Sequence, residues 1–88
     1  MSNKVILGSM AMDLKRVALG YWRGSKTADI FLREAQMRKS EIKSGSVKPY
    51  IENILSKIDY LGELKDKKEA AENALMYSTI IQNAAVRL

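Results

Sequence analysis

Cysteine and histidine are both absent from this 88-residue chain, and the two gaps remove most familiar chemistry. Without cysteine there is neither a disulfide nor a thiolate metal site, and the redox compartment leaves no mark. Without histidine the commonest general base and the commonest metal ligand are missing. A serine nucleophile would lack its usual base, no G-x-S-x-G occurs, and the Glu-x-x-His pair of di-iron bundles is ruled out. Carboxylates remain as acid–base candidates. Glu34, Glu41, Glu52, Asp59, Glu63, Glu69 and Glu72, however, recur mostly at the spacing of solvated helix faces. We expect a protein that is not an enzyme and that holds no cofactor and no metal.

Long apolar runs are missing too. Val5-Ile6-Leu7 is too short for a secretion signal, and no stretch approaches the roughly 18 apolar residues that span a bilayer. A soluble, cytoplasmic protein without membrane attachment is expected. The basic polar side of the first helix would suit a membrane surface, but its heptad-like phase and Gly20 and Gly24 suit helix packing better. There is one proline and there are five glycines, no lasting two-residue alternation and no repeat, so an all-α fold is expected. Residues 1–88 make a single domain. A chain this short buries only roughly 60–65% of its unfolded surface. With disulfides and metals excluded, a second chain is the support that remains.

What is present begins with a clear final helix. Asp66 and Glu69 form a capping-box pattern, followed by Ala70, Ala74, Tyr77, Ile81, Ala84 and Leu88 at helical spacing, with Ala71, Leu75, Ser78 and Ala85 alongside. No charge occurs from Asn73 to Val86, so the apolar face is wide, as in a central or interfacial helix. Asn73, Thr79, Gln82 and Asn83 are expected as polar groups that set register or lie partly exposed. A middle helix is expected over 47–61, with Ser46 as N-cap, Pro49 in the first turn, a stripe of Val47, Ile51, Ile54, Ile58 and Leu61, and Gly62 as its stop.

The first half poses the main question. Arg23, Gly24, Ser25 and Thr27 have the local chemistry of one helix ending and another starting. Against a break, Leu7, Met10, Leu14, Val17, Tyr21, Gly24, Ala28, Phe31, Ala35 and Ile42 keep one helical phase, interrupted only by Arg38. Gly20, Gly24 and Ala28 form a line of small residues that admits a close neighbour. The phase favours one long helix from about residue 5 to 43, and hence a three-helix antiparallel bundle. The alternative is a four-helix up-down bundle with a break near Gly24 and Trp22 in its core.

Charge and exposed apolar residues supply the functional leads. Ten basic and four acidic residues precede Pro49, and five basic and six acidic residues follow. On a continuous first helix, Leu19, Trp22 and Ile30 are stranded among Arg23, Lys26 and their neighbours, opposite the apolar stripe. A tryptophan with aliphatic residues rimmed by cations marks a contact surface. Leu19, Trp22, Arg23, Lys26 and Ile30 are therefore the expected partner-binding residues. The expected function is a small helical protein-interaction or regulatory module that forms a homodimer through its first and last helices, with a further protein partner unidentified. The rival is a nucleic-acid-associated protein whose Lys15, Arg16, Arg23, Lys26 and Arg33 contact phosphates while Tyr21 and Trp22 stack. Gly20 to Lys26 lacks the phosphate-loop order. Met10 is expected in the core, Met37 and Met76 at contacts between subunits, and Tyr60 and Tyr77 as packing residues with a polar tip.

Overall fold

The chain turns back on itself at Gly24. The computed structural model describes residues 2–88, and its first helix, α1, spans Asn3–Arg23. The Ser2 hydroxyl caps its start by accepting from the Val5 amide at 3.3 Å. At its other end Gly24 takes φ +68°, a left-handed conformation that glycine adopts without steric cost. The Ser25 amide then donates to the Gly20 carbonyl at 2.8 Å and the Gly24 amide to that of Tyr21 at 3.2 Å, the paired bonds of a Schellman stop. After two more residues, with the Ser25 hydroxyl accepting from the Thr27 amide, α2 runs over Thr27–Lys39.

The single helix over 5–43 is thus corrected to a helical hairpin, and the four-helix alternative describes the fold. Three residues separate α1 from α2, close to the 3.6 residues of one turn. The apolar phase therefore crosses the break by arithmetic, without requiring a continuous rod. The small-residue line is used within the chain: a Cβ on Gly20 would lie 2.8 Å from Cβ of Ala28, so the two helices touch backbone to backbone there.

The next helix, α3, covers Pro49–Ile58 and is shorter than its apolar stripe at both ends. Lys48 precedes proline and is extended at ψ 150°, because the proline ring disfavours helical geometry in the residue before it. Ser46 is consequently no cap. Its hydroxyl donates to the Lys43 carbonyl at 2.6 Å, and Val47 packs against the core from the loop. Gly62 lies inside a 3₁₀ turn over Leu61–Glu63 instead of ending the helix. The last helix, α4, spans Lys67–Val86, and Asp66 caps it as expected, its carboxylate accepting from the amides of Lys68 and Glu69.

Together the four helices form an all-α, up-down-up-down bundle of 34 × 20 × 19 Å. α1 is its spine, packed along one side by α2 and along the other by α4. Ala11, Ala18, Ala28 and Ala35, with Ala71, Ala74 and Ala85 from α4, are buried and keep these crossings tight. α3 closes the remaining side through the larger Ile51, Ile54, Leu55 and Ile58. The deepest side chains are Leu7, Met10, Leu14, Val17, Ile58, Leu61 and Ile81. Among the described residues no helix is long and apolar enough to cross a membrane.

Candidate interaction surface

With α3 behind it, α1 shows its opposite face to solvent, bordered by a groove against α2 and another against α4. The two grooves differ in chemistry. The α1/α2 groove is closed by charge. Asp13 is only 4% exposed, and a buried carboxylate is costly unless it is paired. Arg38 Nε donates to its Oδ2 at 2.9 Å, and an Arg16 guanidinium nitrogen lies 3.7 Å from Oδ1. The same guanidinium stacks 5.4 Å from the centroid of Phe31, a cation–π contact that seals the groove further. Arg38, the one misfit in the apolar stripe, is there to meet Asp13.

The α1/α4 groove is open, and in it apolar Val5, Met12, Leu75 and Val86 are interspersed with polar Ser9, Thr79, Gln82 and Asn83. Val5, Gly8, Ser9 and Met12 of α1 face Gln82, Ala85 and Val86 of α4 across one depression of about 450 Å³. A second, of about 330 Å³, continues from Met12 and Gln82 past Lys15, Leu75 and Thr79. The two adjoin at Met12 and Gln82, which line both, so they follow one another along the same inter-helix trough. Beneath it the Ser78 hydroxyl, buried, donates to the Ala11 carbonyl at 2.7 Å and ties the walls together. At the hairpin end Trp22 is 61% exposed, with Lys68 Nζ 5.7 Å from its ring centroid.

The expected contact residues are all exposed but do not form one patch. Leu19 extends the line of Val5 and Met12 at seven-residue steps, and Trp22 turns toward α4. Arg23 ends α1 and Lys26 lies in the turn. Ile30 sits on α2, across α1 from α4, about 160° of helical rotation away from the buried Ala28, Leu32 and Ala35. The hairpin therefore removes Ile30 from the group. It also disperses the expected basic face: Lys15 rims the trough, Arg16 is engaged with Asp13 and Phe31, and Arg33 is on α2.

Trp22 stays outside the core even though the chain breaks, so that part of the four-helix alternative does not hold. Its neighbour Tyr21 is the buried aromatic residue. Tyr21 Oη finds no hydrogen-bond partner among the described residues. Burial raises the pKa of this hydroxyl above its ordinary 10, and the charge of Asp29 adds to the rise. Lys67 stacks 5.1 Å from the Tyr21 ring centroid while donating to the Gly62 carbonyl at 3.1 Å.

On α1, Val5, Met12 and Leu19 recur at seven-residue steps out of phase with the core stripe, a weaker signal beside the stronger one; Leu75, expected on the apolar face of α4, is half exposed. Met10 is buried as expected, while Met37 and Met76 are exposed. Thr79, Gln82 and Asn83 face solvent, and Ser78 is the buried polar residue of α4. Tyr77 packs inside, whereas Tyr60 is exposed. No group of three metal-ligating side chains occurs among the described residues. Compared with protein-family models, curated proteins and solved structures, the chain matches none.

Proposed function

We propose that this chain is a non-enzymatic helical interaction module whose working surface is the open α1/α4 face. One observation carries the reading: Val5, Met12, Leu19 and Trp22 on α1, with Leu75 and Val86 on α4, are large apolar side chains left about half exposed or more. Val5, Met12, Leu75 and Val86 line two adjoining depressions of the inter-helix trough, and Leu19 and Trp22 lie beyond its hairpin end. Scattered exposed apolar residues are ordinary, whereas a contiguous line of them bordered by polar groups marks a contact surface. The neighbouring α1/α2 groove, closed by its own ion pairs, offers no such surface.

Homodimerisation is one use such a face could have, since an isologous pair would cover both copies at once. The hairpin weakens the case for it, because α2 covers one side of α1 within the same chain. Nucleic-acid association is supported less well by the geometry, because the five expected basic residues are spread over the rim, an internal ion pair and the outer side of α2.

Light scattering over micromolar to millimolar concentrations, on the wild type and Met12→Glu, tests self-association through the face. Titration with duplex DNA and single-stranded RNA at low and moderate salt tests the rival, since phosphate contacts release counterions and bind best at low salt. Nucleic-acid binding lost on Lys15→Ala with Arg23→Ala, and untouched by Met12→Glu, would overturn the interaction-module reading.

A further inference from the structure

The chemistry of the trough walls selects what fits between them. Along α1 the lining and bordering positions are Val5, Gly8, Met12, Lys15, Leu19 and Trp22, alternating steps of three and four residues, the spacing of a helix–helix seam. At 1.5 Å per residue this line is about 25 Å long, five turns of a docked helix. Gly8, Ser9 and Ala85 at one end carry little side chain, so a second backbone can approach closely there.

Cations outnumber acids along this face. Lys4 and Lys15 stand on the α1 wall and Lys68 marks the hairpin end beside Trp22. The residues lining the two depressions include no carboxylate. The sole acid of α1, Asp13, is buried and held by Arg38. Against these cations α4 sets Glu72, exposed three residues before Leu75.

We infer that the trough binds an acidic amphipathic helix: a partner segment of about 17 residues with apolar residues at heptad spacing, flanked by Asp or Glu. The inference rests on the reading of this face as a docking surface and names its occupant. Helix-in-groove docking draws its affinity from apolar anchors and its selectivity from flanking charge. A second copy of this chain would bring a face carrying Lys4, Lys15 and Lys68 against another carrying the same three lysines, and like charges across a contact select against a partner. A nucleic acid would lay phosphates over Val5, Met12, Leu75 and Val86 and gain nothing from them.

The probe is a pair of synthetic helices of about 18 residues, identical in their leucine seam and lacking tryptophan. One carries glutamate and the other lysine at the flanking positions. Trp22 is the only tryptophan, so its emission reports docking directly. The glutamate helix is expected to bind one to one and shift Trp22 emission to the blue. It should bind about tenfold or more tighter than the lysine helix at low salt, with the gap narrowing as salt screens it. Met12→Glu should weaken it by about tenfold, because a charge is placed in the seam. Lys15→Glu combined with Lys68→Glu should reverse the preference, and this arm decides even if Met12→Glu fails to fold.

Equal affinity for the two helices, or binding of neither, overturns the inference. A dimer whose mass halves on Met12→Glu also overturns it, while leaving the docking face intact. Monomeric chain that ignores both helices but binds nucleic acid through Lys15 and Arg23 removes the inference and the docking reading together.

Discussion

Gly20→Ala tests the hairpin where its two helices come closest. The added Cβ would lie 2.8 Å from Cβ of Ala28 and 2.9 Å from its Cα and amide nitrogen. Carbon atoms rest about 3.5–4.0 Å apart at their optimum, so α2 must retreat by roughly 0.7–1 Å at the crossing. Two of the three opposing atoms are backbone, and no side-chain rotation relieves them. Overpacking costs about 1–3 kcal/mol, and rigid opposition places this site at about 2–3. Replacing a helical glycine by alanine returns about 0.8–1 kcal/mol of intrinsic propensity. The net expectation is a loss of about 1–2 kcal/mol by urea denaturation. Gly8→Ala is the control. It lies inside the same helix with no atom within 4 Å of the added Cβ, so it should gain up to about 1 kcal/mol from propensity alone. If Gly20→Ala stabilised the protein as much as Gly8→Ala, the crossing would not exist. In an unbroken rod the two residues stand about 12 Å apart, and alanine at position 20 would be purely favourable.

Three further outcomes follow from the packing. Arg38→Ala should cost more than Asp13→Ala, because it leaves a buried carboxylate with only the more distant Arg16. Breaking a buried pair this way costs about 3–5 kcal/mol, and since the Arg38 side chain is one-third exposed a value near the lower end is expected from denaturation midpoints. Tyr21→Phe removes a buried hydroxyl that has no partner among the described residues and should be neutral or stabilising by about 1 kcal/mol. It should also remove one alkaline sensitivity. The folded hydroxyl ionises at higher pH than the unfolded one, so wild-type stability is full below pH 10 and falls as pH rises through the unfolded pKa toward the folded one. A thermal scan from pH 8 to 11 that shows the same decline in Tyr21→Phe would refute this assignment. Asp66→Ala deletes the cap of α4 and should cost about 1 kcal/mol, read as a lower melting temperature with the helical spectrum retained.

By itself the sequence determined that the protein is helical, where α4 begins, and the inward stripes of α1 and α3; on α2 it missed the buried Leu32, and it turned inward the exposed Leu75 of α4 and Leu88 just past its end. Asp66 and the spacing of Ala70, Ala74, Tyr77 and Ile81 are local and periodic signals, and they report capping and burial whatever the helices pack against. Leu19 and Trp22 were legible as exposed for the same reason, since their phase opposes the stripe of Met10, Leu14 and Val17. Periodicity carries no information about chain direction when a break is close to one turn long, so Gly24 as reversal or as waist was settled only by the contact of Gly20 with Ala28. Tertiary structure also decided which groove along α1 is closed and which is open. That depends on Arg38 reaching Asp13 from 25 residues away and on α4 leaving Met12, Leu75 and Val86 uncovered, pairings between distant segments that no local pattern encodes.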